Sequence, residues 1–252
     1  MNEAIDEVSR SALLHAASFS DEAAGQLTNR LYRYNRLPLT PRIRRRFPDP
    51  VAVEDYLVGG GSGSLALRRW RRTPIIEGYE CWMILRRGGR RERATHKLYV
   101  AVGIDHVRDA LHDAAEAAVA AGVGTLKVGV TADALVRPDK LIVYAAGREQ
   151  LEAVAARLEP RLRGATPQLV PFTAATECGG PLSWGMDPPE PQRTEGPSWR
   201  VLVCRRLGIA LAGAAGTPGE RASAAALSLA EQGIDPATWT LRDGWDAIGE
   251  AA

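Results

Sequence analysis

The sequence predicts an α+β fold with a small mixed or antiparallel sheet, helices packed on one face, and helical N- and C-terminal segments. Strand patterns fill the middle third of the chain, amphipathic helix patterns alternate with them, and further helix patterns occupy both ends. With 252 residues, 45% of them apolar and 25% charged, the chain has an ordinary globular composition. We expect a helical segment (1–58), a core (59–197) and closing helices (198–252) to form one compact domain.

The N-terminal segment is predicted to be helical over residues 2–34, as one helix or as two, with Ser20 as the cap of the second. Four prolines between positions 38 and 50 then break the chain and enclose the basic run Arg42–Arg46. The glycine-rich stretch 59–64 lacks the GxxxxGK[ST] pattern, and no helix pattern follows it directly. We therefore interpret it as a linker or a hairpin loop.

The core begins with a predicted strand over 76–87, which Gly88-Gly89 connects as a hairpin to a second strand over 95–102. The next elements are a helix capped by Asp105 and ending at Gly122, strand 125–129, strand 141–145, and helix 148–159. A proline- and glycine-rich stretch, 164–197, is predicted to be a long functional loop or lid. Helices near 198–213, capped by Ser198, and near 218–232 close the chain.

Composition excludes several functional classes. The formal net charge is only +2, and three cysteines lie far apart without a CxxC pair, which favours reduced thiols in the cytoplasm. The acidic N-terminus does not resemble a signal peptide, and no apolar run is long enough to span a bilayer. The four histidines form no HExxH motif and no i,i+4 pair, so we expect neither a metal nor a cofactor.

Alternation along the predicted strands separates polar from apolar side chains. In strand 95–102, Lys97 and Tyr99 face away from the apolar side chains; Lys127 does so in 125–129, and Tyr144 in 141–145. If the apolar sets share the helix-covered core, these four polar residues converge on the opposite face. Arg137 and Lys140 lie in the turn beside them, and the proline-rich loop brings Thr173 and Trp184.

Such a face has two interpretations. Lysine and tyrosine are common on solvated sheet faces. Clustered cations also suit an anion, particularly phosphate, and neighbouring cations lower one another's pKa, which prepares a lysine to act as a base.

A series of short motifs resembles the HopA-type effector-like family. In order, the motifs are KLYV (97–100), LKVG (126–129), VRPDKLIVY (136–144), VPFTA (170–174) and LSWG (182–185), with NRLYRY (29–34) similar to that family's tyrosine-bearing N-terminal helix. Family members occur as type III effectors and in gene clusters for ribosomally made, modified peptides such as lanthipeptides. The resemblance implies a metal-independent phosphothreonine or phosphoserine lyase acting on a precursor peptide together with a kinase-like protein.

The resemblance also implies roles for individual residues. Lys127 would remove the α-proton of a phosphorylated Ser or Thr, Arg137, Lys97 and Lys140 would bind the leaving phosphate, and Tyr99 or Tyr144 would protonate it. The remaining cleft residues would be Tyr144, Thr173 and Trp184. This chain departs from the lyases at Tyr99, where they have a histidine as the general acid, and His96 is predicted to face the other side of its strand.

Two alternatives remain open. A non-catalytic module could use the same cleft to hold a peptide or a partner kinase, and the substitution at Tyr99 favours it. The second alternative concerns the basic runs Arg42–Arg46 and Arg68–Arg72, the latter with Trp70 for stacking, which are similar to nucleic-acid contact sites. They also suit a solvated arginine surface or an acidic peptide, and we do not expect nucleic acid as the partner.

Overall fold

The computed structural model describes residues 3–59, 67–76, 78–84, 94–187 and 198–242. The α-helices of these residues are α1 (Glu3–Ala17), α2 (Ala24–Arg33), α3 (Pro41–Arg46), α4 (Pro50–Val58), α5 (Val107–Ala120), α6 (Ala132–Leu135), α7 (Arg148–Leu158), α8 (Trp199–Gly213) and α9 (Pro218–Glu231). The strands are β1 (Trp70–Ile76), β2 (Tyr79–Ile84), β3 (His96–Val100), β4 (Thr125–Gly129), β5 (Leu141–Ala145), β6 (Ala174–Ala175), β7 (Leu182–Met186), β8 (Ile234–Asp235) and β9 (Thr240–Leu241). The α+β prediction is confirmed.

The chain divides into two compact units. The sheet unit comprises 36–169 and 176–184, and the helical unit comprises 1–35, 170–175 and 185–252. Six strands of the seven-stranded antiparallel sheet lie in the sheet unit, in the order β1-β2-β4-β5-β3-β7. Of β7, only the first three residues belong to this unit. The division of the sequence into segments 1–58, 59–197 and 198–252, and their assembly into one compact domain, stay a prediction.

One face of the sheet is apolar and helix-covered, as predicted. Leu98, Leu126, Val128 and Val143 are almost completely buried, and α5 and α7 pack over β3, β4 and β5. The small side chains of α5 allow this close packing, because alanines occupy most of its buried positions. This buried layer fixes which side chains point to the opposite face.

The first part of the core differs from the prediction. The strand expected over 76–87 is two elements, since β1 and β2 pair in antiparallel fashion around a turn at Gly78, where a φ of 79° favours glycine. The expected hairpin is also wrong. Strand β2 pairs with β1 and β4, and β3 pairs with β5; Gly88-Gly89 lies outside the described residues. Pairing with β4 sets Trp82 opposite Leu126 on the apolar face.

Several local predictions also need correction. Ala23, not Ser20, precedes α2, where the Gln26 side chain accepts from the Ala23 N–H. Asp105 lies in a short 3₁₀ turn, and His106 precedes α5. The proline-rich segment after position 37 forms α3 and α4, because Thr40 and Asp49 cap them in front of N-terminal prolines.

The helical unit has a separate core in which α2 and α8 pack most closely. Gly208 of α8 makes this approach possible, since a Cβ there would lie 2.4 Å from the Thr28 hydroxyl oxygen and 2.8 Å from the Ala24 carbonyl oxygen. Trp199, Phe172 and Leu31 are fully buried in this core. No helix of the described residues is both long and apolar enough to cross a membrane.

Candidate functional site

The strand register determines the polar face of the sheet. Ile142 lies opposite Tyr99 on one side and Lys127 on the other, and Tyr144 lies opposite both Lys97 and Thr125. Directly opposed residues of antiparallel strands share a face, and residues two apart on a strand share it too. Lys97, Tyr99, Lys127 and Tyr144 therefore occupy one face, as the alternation pattern predicts.

The two lysines on this face lie on the strands that flank β5. Lys97 and Lys127 are two strands and two residues apart, so their Cα atoms lie roughly 12 Å apart, from strand spacings of about 4.8 Å and a rise of about 3.4 Å per residue. An extended lysine side chain reaches about 6 Å beyond its Cα. The Lys97 Nζ atom lies 5.8 Å from the centroid of the Tyr144 ring on β5, whereas the Lys127 Nζ atom lies over a ring on β2, on the other side of β4. The two amines are therefore directed apart, and the Lys127 side chain has to turn toward β5 for both to contact one anion.

Burial separates this face from an ordinary solvated one. Lys97 is 8% exposed and Tyr99 is 3% exposed, while Lys127 and Tyr144 are half-buried. A lysine on a solvated face normally keeps its amine in water. The alternative of a solvated lysine and tyrosine face is thus wrong, since at least half of the set is enclosed.

An aromatic ring that the sequence interpretation overlooked lies beside Lys127. The Lys127 Nζ atom is 4.0 Å from the centroid of the Tyr79 ring, and the Arg137 Cζ atom is 5.4 Å from it. Tyr79 opposes Gly129, two residues from Lys127, so β2 delivers the ring to the same face. The sequence could have indicated this ring, because Tyr79 lies within the strand that we predicted over 76–87. The ring positions two cations without neutralising them.

Arg137 is held by a carboxylate. Its Nε donates to Asp139 Oδ1 at 2.8 Å, and its Nη2 donates to Oδ2 at 2.9 Å. The Asp139 side chain is buried, whereas that of Arg137 is 27% exposed. This fork-to-fork pair fixes the orientation of the guanidinium and offsets part of its charge.

Lys140 is not placed as predicted. Its side chain is completely buried, and its Nζ donates to the Val102 carbonyl oxygen at 2.7 Å and to Gln168 Oε1. Gln168 in turn donates from Nε2 to the Val136 carbonyl oxygen at 2.8 Å. Burial lowers the pKa of Lys140 to about 7, although the Asp139 carboxylate opposes this. Lys140 therefore ties strand ends together, and its amine does not point to a phosphate.

Ser183 is a buried polar group that the sequence interpretation missed. It is 1% exposed, and within the described part of the chain its Oγ has no hydrogen-bond partner. The Ala101 N–H donates to the Pro181 carbonyl oxygen at 2.9 Å, and continuing this antiparallel register sets Ser183 opposite Tyr99. The hydroxyl thus lies on the polar face at the end of the row formed by Tyr99, Ile142 and Lys127.

Trp184 lies on the other side of the sheet. Its ring stacks on His96 with centroids 5.7 Å apart, and the Arg148 Cζ atom lies 4.0 Å from its centroid. His96 precedes Lys97 and so faces the helix-covered side, as predicted. Because LSWG forms strand β7 instead of a loop, alternation turns Trp184 away from Ser183. The structure does not bring Trp184 to the cleft residues.

Thr173 belongs to the helical unit. It is fully buried, and its Oγ1 donates to the Val170 carbonyl oxygen at 2.6 Å. The preceding residue, Phe172, has a φ of 61°, and its N–H donates to Ser9 Oγ at 2.9 Å. The VPFT segment is therefore a tightly held turn of that unit. Its predicted role beside the sheet stays a prediction.

The described residues contain no group of three or more His, Cys, Asp or Glu side chains arranged to hold a metal ion.

Trp70 of the second basic run is 7% exposed and belongs to the core of the sheet unit. The predicted stacking platform for a nucleic-acid base is therefore wrong. Taken together, the fold and site define an α+β protein with a partly enclosed, cation-bearing sheet face.

Comparison with known proteins places this fold. No family model matches the sequence, and no curated protein sequence matches it. An effector protein from Pseudomonas syringae pv. tomato strain DC3000 superposes with a TM-score of 0.50 at 13% identity, covering 95% of this chain and 99% of that one. This likeness is one of fold.

Two further solved structures superpose less well. An effector from Pseudomonas syringae pv. syringae strain 61 gives a TM-score of 0.48 at 15% identity, covering 94% of this chain and 98% of that one. A phosphothreonine lyase gives 0.35 at 14% identity, covering 77% and 98%. Both scores are too low to bear on the chemistry of this chain.

Proposed function

We propose that this chain is a phosphoserine/phosphothreonine lyase-like protein that acts on a phosphorylated peptide. The observation that carries the proposal is the strand register, which sets Lys97 and Lys127 on one partly enclosed face, with Arg137 beside Lys127 at the Tyr79 ring. Clustered, partly desolvated cations are suited to a dianionic phosphate. The motif resemblance supplies the reaction type.

The proposed reaction is a β-elimination. The Lys127 amine, in its neutral form, removes the α-proton of the phosphorylated residue; the C–H electrons form the Cα=Cβ double bond, and the Cβ–O bond breaks. The phosphate leaves with the electron pair of that bond, and Tyr99 or Tyr144 protonates the leaving oxygen, which gives hydrogen phosphate. The products are a dehydrated residue and inorganic phosphate. Positioned acid and base groups are sufficient for this chemistry.

The remaining residues have supporting roles in this proposal. Lys97 and Arg137 bind the phosphate, and Asp139 keeps the guanidinium of Arg137 in one orientation. Tyr144 is the more accessible of the two proton donors, because Tyr99 is almost completely buried. Lys140 has a positioning role, since its amine bonds to Val102 and Gln168.

A second candidate is a non-catalytic module that binds a phosphorylated peptide or a kinase on the same face. Two observations favour it. Asp139 offsets part of the charge of Arg137, and Tyr99, where the lyases have their acid, is 3% exposed. Either candidate suits a precursor peptide as the ligand and a kinase-like protein as the source of the phosphate.

The test is to incubate the protein with a phosphothreonine peptide and measure the peptide mass. Elimination removes phosphoric acid and leaves a double bond that a thiol can trap, whereas hydrolysis leaves the hydroxyl in place. We expect elimination, and we expect Lys127→Ala to lower its rate by about a thousandfold, since a positioned base contributes roughly 10²–10⁴. An intact phosphopeptide that nevertheless binds would establish the second candidate.

Two control variants sharpen this test. Lys127→Arg keeps the positive charge but cannot act as a base near neutral pH, so it should retain peptide binding and lose elimination. Arg157→Ala, on the exposed surface of α7, should behave as the unsubstituted protein in both assays. Elimination that persists in Lys127→Arg would remove Lys127 from the role of base.

A further inference from the structure

The two basic runs of the sequence meet around helix α4 of the sheet unit. Arg46 forms an ion pair with Asp105, and its Cζ atom lies 4.6 Å from the centroid of the Tyr56 ring in α4. Arg72 of β1 forms an ion pair with Glu54, also in α4. The helix is thus flanked by α3 on one side and by the start of β1 on the other.

The outer arginines of both runs point to solvent. They are Arg42, Arg44 and Arg45 on α3, and Arg68, Arg69 and Arg71 at the start of β1. Within the described ranges none of the six forms an ion pair or a hydrogen bond through its side chain. We call these six residues the arginine surface. Six exposed guanidinium groups on the two elements that flank α4 form a local positive field in a chain whose net charge is only +2.

The inner arginines keep this arrangement rigid. Arg46 and Arg72 are bound to carboxylates on neighbouring elements, Phe47 packs against Tyr56 at 5.2 Å between ring centroids, and the Tyr56 hydroxyl donates to the Ile104 carbonyl oxygen at 2.7 Å. The 3₁₀ turn that carries Arg68 and Arg69 packs on α5, as α4 does. The outer arginines are therefore displayed from fixed backbone positions and not from a loose tail.

We propose that the arginine surface docks an acidic segment of a polypeptide. This proposal rests on the proposed function, because the segment would belong to the peptide that the sheet face modifies. Guanidinium groups bind carboxylates in a bidentate fashion. Asp49 and Asp55, exposed on and before α4, separate the arginines into two clusters. Two clusters suit a peptide with two groups of carboxylates.

The observations favour a peptide over nucleic acid. Single-stranded nucleic acid needs exposed aromatic side chains for its bases, and Trp70, the aromatic residue within the second run, is buried. A continuous phosphate backbone needs an unbroken positive path, whereas the carboxylates of α4 interrupt this surface. Nucleic acid is accordingly an outcome of the test and not the proposal.

The test measures binding to the full chain by fluorescence anisotropy, at two salt concentrations. The probes are a labelled Glu- and Asp-rich peptide, the same peptide with Gln and Asn in their place, and an RNA oligonucleotide of equal charge. We expect the acidic peptide to bind, its neutral counterpart not to bind, and salt to weaken binding. Tighter binding of the RNA at equal salt, or no binding of the acidic peptide, would overturn the proposal.

Charge-reversal variants locate the surface. We expect Arg44→Glu/Arg45→Glu and Arg69→Glu/Arg71→Glu each to weaken acidic-peptide binding by about tenfold, since each removes two exposed ion pairs. The control is Arg157→Glu/Arg163→Glu, which changes two exposed arginines of the same unit, one in α7 and one after it. It makes the same change in net charge and should have little effect. An equal loss in this control would show that net charge alone drives binding and would contradict the proposal.

The lyase reaction provides an independent readout. Arg44→Glu/Arg45→Glu should eliminate phosphate from a short, non-acidic phosphothreonine peptide at the unsubstituted rate, and should lose the rate advantage of the same peptide extended by an acidic segment. If no variant eliminates phosphate but acidic-peptide binding still maps to the arginine surface, the proposed function fails and the docking surface stands. If elimination occurs with no advantage for the extended peptide, the docking surface fails alone.

Discussion

The two units bury polar groups in different ways. In the helical unit, Arg221 is 2% exposed and donates to three backbone carbonyls, those of Ala214, Leu211 and Ala17. Arg200, 1% exposed, likewise donates to the carbonyls of Pro171 and Tyr32. In the sheet unit, the cations of the polar face instead lie over aromatic rings or pair with one carboxylate.

This difference separates structural cations from candidate binding cations. The carbonyls that Arg221 binds lie at the C-terminal ends of α1 and α8, where the helix dipole favours a positive charge. The Leu211 carbonyl also accepts from the Ala214 N–H at 3.3 Å. Such a guanidinium holds the fold together. An aromatic ring holds a cation without a formal countercharge, so the sheet face is the better candidate for chemistry.

The largest expected effect on stability is therefore at Arg221. Arg221→Met fills a similar volume but takes a buried donor away from three backbone carbonyls, of which only that of Leu211 keeps another donor within the described residues, the Ala214 N–H. We expect it to lower the free energy of unfolding by about 2–4 kcal/mol. Urea denaturation monitored by circular dichroism measures this. Arg205→Met, on the exposed side of α8, is the matched control and should change the value by less than about 0.5 kcal/mol. Equal stability of both variants would remove the structural role.

Lys140 is the exception within the sheet unit, and its titration tests that assignment. Its pKa is about 7 in the folded protein and about 10.4 in the unfolded chain. Between these values the unfolded chain binds the proton and the folded protein does not. The contribution of Lys140 to the free energy of unfolding therefore rises with pH between these two values, by at most about 1.4 kcal/mol per pH unit.

The measurement is the free energy of unfolding at several pH values between about 7.5 and 9. We expect the difference between the unsubstituted protein and Lys140→Met to shift in favour of the unsubstituted protein as the pH rises. Arg157→Met, which removes an exposed cation from α7, should show a constant difference. A constant difference for Lys140→Met as well would mean that the amine stays charged when buried.

Much of the sheet unit follows from local sequence. Strands β4 and β5 have the predicted bounds, 125–129 and 141–145, because each is a short apolar alternation between turn residues. The same alternation correctly divides Lys97, Tyr99, Lys127 and Tyr144 from the core. Period-2 patterns determine which face a side chain takes once the strand itself is identified.

The remainder depends on contacts between distant residues. Alternation does not specify the partner of a strand, so the pairing of β2 with β4 was not predictable. Strand β7 lies in a segment whose prolines and glycines indicate a loop, and its misassignment turned Trp184 to the wrong face and concealed Ser183. Lys140 stands just before β5, where alternation no longer dictates direction and the carbonyl of Val102 decides it.

The smallest expected effect compares two buried serines, one in each unit. Ser9 is fully buried, donates to the Ile5 carbonyl oxygen at 2.8 Å and accepts from the Phe172 N–H at 2.9 Å. Ser183, equally buried, has no partner within the described residues. Removing a bonded hydroxyl leaves its partner without a hydrogen bond and so lowers stability. Removing an unbonded buried hydroxyl removes the desolvation cost of that group and so raises stability.

We therefore expect opposite signs for the same substitution. Ser9→Ala should lower the free energy of unfolding by about 1–2 kcal/mol, and Ser183→Ala should raise it by about 1 kcal/mol. Calorimetric or urea unfolding of both variants measures this. If Ser183→Ala also weakens phosphopeptide binding while stabilising the fold, its hydroxyl serves a ligand, because a purely structural residue would not trade stability for binding. A loss of stability in Ser183→Ala would instead mean that the hydroxyl is already bonded within the protein, and Ser183 would then not be available to a substrate on the sheet face.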